Sequence, residues 1–387
     1  MRKLWLLCAL AILPGCPSPN PPNPPPDQSY DCDNPPQFAG VVLVADHVPN
    51  EYIIVFKGRG VTASWQATNL TAKFSTLRNV RPLSVGIEAM TDAVTAARVA
   101  QEPSVAYVQQ MGRKKAVVTW GLDRIDQRDL PLDGGYTPDS HGSGIHAYIG
   151  DTGIDSNHSE FAGRLGECFT VQAGGCADGF GHGTHVSSTV AGTRLGVANL
   201  ATIHAVRVLD SQGSGTDADV IRGIDWVTQH VIDNGWPAVM NMSLGGGASP
   251  AIDQAVCRSI AAGVVHVVAA GNESGNACDG SPARVKQALT LGASDRNDRT
   301  AIFSNYGPCV DVYGPGVDVE GARRGGGSET LSGTSMASPH GAGTAILCLE
   351  QNPGTPAQVA QCVLSRATDS TLNDVPAETP NLLLYVK

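Results

Sequence analysis

The chain is poor in charge: 16% of its 387 residues are Asp, Glu, Lys or Arg, against about 25% in an average soluble domain. It has no basic patch, and its formal net charge is −10. An acidic surface repels nucleic acid and anionic lipid, so neither is an expected partner. The apolar run "LWLLCALAIL" near the N-terminus is too short to cross a bilayer. No long internal repeat is visible. Two chemistries also lack a needed part. "DTG" at residues 151–153 occurs once, with no second Asp-Thr-Gly or Asp-Ser-Gly, so a pair of carboxylates sharing a proton would need a dimer. His182 and His185 have no Glu in an "HExxH" arrangement and no nearby Cys or acidic ligand on the same helix, which leaves zinc poorly supported.

What is present is the composition of a folded chain, with 42% hydrophobic residues and 45 glycines. Arg2, Lys3, the apolar run and "LPGC" read as an export signal over residues 1–16. "LPGC" also resembles a lipoprotein signal with Cys16 acylated, although Pro14 is unusual there. Simple secretion is the alternative. A proline-rich spacer follows over 17–37, too stiff and polar to pack a core. Lys and Arg against Asp and Glu give 11 − 8 = +3 for residues 1–115 and 15 − 28 = −13 for residues 116–387. The sign changes just after "GRKK", which sets a domain boundary near 115. Residues 38–115 carry strand and helix patterns of a small α+β domain.

From about residue 145, strand patterns alternate with helical ones: "IHAYIG", "HGTHVSSTVAG", "TIHAVRV", "DADVIRGIDWVTQHVIDNG", "AVMNMS", "PAIDQAVCRSIAAG", "VVHVVAA". This predicts an α/β fold, a doubly wound parallel sheet with helices on both faces. Ligands then sit beyond the carboxyl ends of the strands. Asp151 follows the first strand there, although an Asp in such a turn is commonly structural. His182 opens a helix and can titrate near neutrality, while His185, one turn on, reads as structural. Ser335 precedes Pro339 by four positions. Proline is tolerated in a helix's opening turns, so a helix is expected to start near Ser335. A hydroxyl at that point suits a nucleophile in the positive field of the helix dipole, and equally an ordinary N-cap. Asp151, His182 and Ser335 occur in the chain order Asp, His, Ser, one of the orders in which a nucleophile, base and orienting acid are found.

The motifs "DTG", "HGTH" and "SGTSMASPH", with "WGLDRIDQRDLP", "NMSLGGG", "AAGN", "SPARV" and "FSNYG", resemble those of the subtilases, in the proteinase K-like branch and closest to the aqualysin type. The likeness covers residues 116–387, and residues 46–111 resemble that family's inhibitory propeptide. It implies a secreted serine endopeptidase, monomeric, acting on polypeptides and made as a self-processing proenzyme whose own propeptide inhibits it. Asn272 matches the oxyanion donor. Gly213, Ser214 and Gly215, with Ser243, Leu244, Gly245 and Gly246, match the two segments that flank an extended substrate, which implies broad specificity. Ala270 and Gly271 would line a roomy apolar pocket. Structural calcium is implied on Asp311 with the carbonyls of Lys286 and Ala288, and a second site on Asp123, Asp126, Gln127 and Asp133, where Gly135 replaces an asparagine ligand.

Cysteines follow the export reading. Seven of the ten lie after residue 115, so at least one, such as Cys257, is unpaired within that region. Short loops make Cys168 with Cys176, and Cys348 with Cys362, reasonable pairs. The resemblance implies Cys278 with Cys309, while Ser211 replaces a cysteine of the family's other bridge. Ser187-Ser188 stands where the family has Ala-Gly and would perturb packing beside His182. Gly341 stands where it has valine.

Overall fold

The strand His146–Asp151 alternates its side chains between two apolar layers. Ala147 and Ile149 enter one buried cluster, and Tyr148 enters the other. Such period-two burial on both faces is what a sheet covered on both sides demands. These features belong to a computed structural model that describes residues 39–43, 47–57, 63–83, 85–112 and 118–387. The export signal, Cys16 and the proline-rich spacer lie outside the described residues. The chain divides into two compact units, Met1–Lys115 and Ala116–Lys387.

In the first unit, a five-stranded sheet runs in the order Val41–Val42, Val105–Gly112, His47–Phe56, Gly86–Met90, Arg78–Pro82. Helices Ala63–Lys73 and Ala93–Val99 accompany it, and Leu70, Phe74, Ala96 and Val99 pack with Ile54, Ile87 and Val108 as its core. Asp92 caps the second helix by accepting the Thr95 N–H at 2.8 Å.

The second unit holds a nine-stranded sheet. Its central strands lie in the order Val312–Pro315, Leu289–Ser294, Val265–Ala269, Ala238–Met242, His146–Asp151, Thr202–Arg207, and neighbouring members of this set pair in parallel. After His146–Asp151 the chain adds its next long strand on one side and then Ala238–Met242 on the other. That reversal opens a crevice at the carboxyl ends of these strands. The helices His182–Ala191 and Thr334–Gln351 contribute Val186, Val190, Met336 and Ile346 to one core layer. Asp217–Asn234 and Pro250–Ala261 contribute Val220, Ile224, Ile252 and Val256 to the other. Thr216 and Asp219 form a capping box at the head of Asp217–Asn234, and Gly235 ends it with φ +66°. The α/β, doubly wound architecture with helices on both faces is therefore the observed one.

Disulfides join Cys168 to Cys176, Cys278 to Cys309 and Cys348 to Cys362. Among the described residues Cys257 is a free cysteine, and it is exposed.

Candidate active site

Asp151 is the last residue of its strand and is fully buried. Its Oδ1 accepts the Thr152 N–H at 2.7 Å, and both carboxylate oxygens lie 2.9 Å from His182 Nδ1. This fixes the imidazole so that Nδ1 carries the proton toward Asp151 and Nε2 is left as a base. His182 is the first residue of its helix, after Gly181 at φ +116°. Next to it, a Cβ on Gly183 would fall 2.2 Å from Gly153 O, so only glycine lets this helix end approach the Asp151 turn. Burial alone would push the His182 imidazolium down. The charge and hydrogen bond of Asp151, aided by Asp178, outweigh burial and raise it above the ordinary histidine value.

Two residues that the motif reading passed over hold this helix end. Asp178 accepts the backbone N–H of Phe180, Gly181 and Thr184 and the Thr184 hydroxyl. Burial would raise its carboxyl, but these bonds prevail and hold it below the usual range. Thr152 donates to Asp178 and accepts the Gly183 N–H. A signal was available: an acid four positions before His182 on a glycine-flanked loop suits a helix N-terminus.

Ser335 is the second residue of Thr334–Gln351. Its hydroxyl donates to Ser243 O at 3.3 Å, and among the described residues no hydrogen bond links it to His182. Bonds of this kind tighten when a substrate arrives. Asn272 Oδ1 accepts both the N–H and the hydroxyl of Thr334, at 2.8 and 3.0 Å. With its oxygen doubly engaged, the amide turns its N–H groups away from Thr334. Thr334, also overlooked in the motifs, accepts the Gly271 N–H at 3.1 Å and so ties the "AAGN" loop to the helix.

Two cavities flank these groups. One of about 500 Å³ is lined by Ser335, Asn272, Leu244–Gly247 and Ala269–Gly271. The other, of about 400 Å³, is lined by His182, Gly213–Gly215 and Ser243–Gly247. Ala270 and Gly271 do border the first cavity, and polar side chains share its wall with them. Glu273, Asn276, Asp279 and Asn305 line it too, and Asn305 is braced there by Ala270 O and Glu273 at 3.0 and 2.8 Å.

Elsewhere the sequence candidates scatter. His185 is fully buried, with Nε2 3.1 Å from Val319 O. Ser187 and Ser188 leave the packing intact because their hydroxyls are satisfied by Gly183 O at 2.6 Å and His185 O at 2.7 Å. At Gly341 a Cβ would meet the Leu291 side chain at 2.4 Å, so a larger residue there needs that side chain to shift. Asp311 is bonded to Thr290 N–H at 2.8 Å, and burial pushes its carboxyl up to about 6. A half-buried carboxylate with one such bond and no ion pair among the described residues fits a hard cation. The second calcium set does not fit as arranged. Asp123 accepts the amides of Asp133 and Gly134, Gln127 accepts the Asp133 N–H, and Asp126 binds Thr137 N–H and the Lys387 ammonium at 3.0 Å. Among the described residues, no three His, Cys, Asp or Glu side chains converge to hold a metal.

Comparison with known proteins agrees with this geometry. Residues 142–379 match the Subtilase family. The chain is 42% identical to an extracellular serine proteinase of Thermus sp. (strain Rt41A), over 99% of this chain and 98% of the relative. It is 45% identical to alkaline serine exoprotease A of Vibrio alginolyticus, over 69% of this chain and 50% of that protein. The crystal structure of a cold adapted subtilisin-like serine proteinase superposes with a TM-score of 0.67 at 45% identity, covering 70% of this chain and 99% of that one.

Proposed function

The chain belongs to the subtilase family and is a serine endopeptidase, and on that premise we propose that Ser335 is its nucleophile, His182 the base, Asp151 the orienting acid and Asn272 an oxyanion donor. Ser335 Oγ attacks the substrate carbonyl while His182 Nε2 takes its proton. The new oxyanion accepts hydrogen bonds from the Asn272 side-chain amide and the Ser335 backbone N–H. His182 then passes the proton to the leaving amine, and water repeats the sequence on the acyl-enzyme. The observation that carries this reading is the pairing of both Asp151 oxygens with His182 Nδ1 at 2.9 Å.

The peptide runs extended between Gly213–Gly215 and Ser243–Gly246. Pairing through backbone groups reads few side chains, so specificity is broad. Calcium, bound by Asp311 and the carbonyls of Lys286 and Ala288, serves the scaffold. The unit up to Lys115 acts as chaperone and inhibitor and is removed by the enzyme's own cut at 110–118; the opposite net charges of the two units, +3 and −13 from the counts 11 − 8 and 15 − 28, favour their association. Residues 1–16 direct export, and acylation of Cys16 would anchor only the precursor.

An organophosphorus serine label followed by mass mapping tests the nucleophile. Label on Ser335 is expected; a folded protein with no label there would favour an inactive binding module. Ser335→Ala should leave the precursor folded and uncut, and normal maturation of that variant in a peptidase-free host would refute self-processing. Soluble Cys16→Ser precursor beside membrane-bound wild-type precursor would support the anchor.

A further inference from the structure

In an α-helix the carbonyl of each residue accepts the N–H four positions later. For Ser335 that position is Pro339, which has no N–H. Ser335 O nevertheless has a donor: the Ser243 hydroxyl, at 2.8 Å. The same two residues bond a second time in the reverse sense, Ser335 Oγ donating to Ser243 O. Behind Ser243 the bonds continue. Asn241 Nδ2 donates to Ser243 Oγ at 3.0 Å, and Ser338 Oγ donates to Asn241 Oδ1 at 2.7 Å. Asn241, Ser243 and Ser338 are 1%, 3% and 0% exposed, so water cannot replace a missing partner without cost.

We infer that Pro339 and the chain Ser338–Asn241–Ser243 are a positioning device for Ser335. Pro339 strips the Ser335 carbonyl of its helical donor, and the Ser243 hydroxyl, aimed by Asn241, takes that place. Because Ser243 follows the strand Ala238–Met242 directly, the backbone of Ser335 is tied to the central sheet rather than to its own helix alone. Asn241 is oriented in turn by Ser338, one turn along the Ser335 helix. The loop of bonds thus closes between strand and helix, and each hydroxyl has its direction set. The inference rests on the reading of Ser335 as the nucleophile.

A double-variant cycle tests it, using a small fluorophosphonate that has no peptide portion to contact the substrate segments. Labelling rates at Ser335 are measured on chains expressed from the full-length sequence: wild type, Ser243→Ala, Pro339→Ala and the double variant. Ser243→Ala should slow labelling about fivefold, the effect of one hydrogen bond. With alanine at 339 a backbone N–H can again serve Ser335 O, so the same change should then cost less than about twofold. Equal slowing in both backgrounds, or none in either, overturns the device. Should Pro339→Ala fail to fold, a second cycle applies within the native helix. Asn241→Ala combined with Ser338→Ala should be no slower than Asn241→Ala alone, and multiplied losses refute the relay. Absence of any label on wild-type Ser335 would instead refute the nucleophile assignment.

Discussion

Both carboxylate oxygens of Asp151 lie 2.9 Å from Nδ1 of His182. The imidazole thus faces a full negative charge over a short distance inside a buried site, which is why its pKa stands above the ordinary value despite burial. As His182 must be neutral to accept a proton, activity should rise with pH through a midpoint above about 6.5. Asp151→Asn removes the charge that raises this pKa, so the midpoint should move down. It should also lower turnover by about 10⁴, the size of the matching change in a trypsin-like triad. Rates on a chromogenic peptide from pH 5 to 10 measure both; an unmoved midpoint would detach His182 from Asp151.

Thr334 holds the Asn272 amide by donating its N–H and hydroxyl to Asn272 Oδ1. Asn272→Leu should lower kcat by about 10²–10³ with little change in KM, as loss of one oxyanion donor does. Thr334→Val keeps Asn272 but removes two bonds of the Thr334 hydroxyl, the one to Asn272 Oδ1 and the one from the Gly271 N–H. Its loss should be smaller, about tenfold. A Thr334→Val effect equal to that of Asn272→Leu would mean that Thr334 does more than hold the amide and its loop.

The parts of this site that were legible in the sequence are those set by local pattern. Alternating apolar residues end at Asp151, and helix starts rich in glycine and small residues place His182 and Ser335. The bonds that aim these groups span the chain. Ser243 reaches Ser335 across 92 positions, and Ser338 reaches Asn241 across 97. No local periodicity encodes such meetings. The polar side chains in the wall of the Ala270–Gly271 cavity have the same origin, since Asn305 arrives there from 35 residues beyond Ala270. At Asp126, the ammonium of Lys387 comes from 261 positions away, a meeting that a match of local motifs to a family does not reveal.

For Asp311 the sign of the pH effect follows from its raised pKa. Its carboxyl titrates near 6 in the fold and near 3.8 when unfolded. The unfolded chain therefore ionises first, and stability is lost as pH rises between those values and stays lost above. The loss is on the order of 2 kcal/mol after allowance for partial exposure. A bound calcium ion would reverse it. At pH 8 with chelator, Asp311→Asn should match or exceed the wild type in Tm; with calcium, the wild type should gain and the variant should not. Equal calcium gains in both would place the metal elsewhere.

Acid should weaken the fold through histidines that burial keeps neutral. His266 is depressed to about 3 by burial, and His185, His204 and His340 to about 4, burial again the largest cause. Each would take up a proton near 6.5 once unfolded. Between 6.5 and about 4 the unfolded chain binds more protons, so stability is present above that window and falls as pH drops through it. His266 isolates the effect because, among the described residues, neither ring nitrogen has a hydrogen-bond partner; replacing it removes a titrating group and none of those bonds. In a Ser335→Ala background, which prevents self-digestion, urea unfolding at pH 7 and pH 5 should show His266→Leu losing about 2 kcal/mol less than its parent over that interval. Identical losses would mean that His266 takes up no more protons in the unfolded chain than in the fold, and that the acid limit is set by the other three.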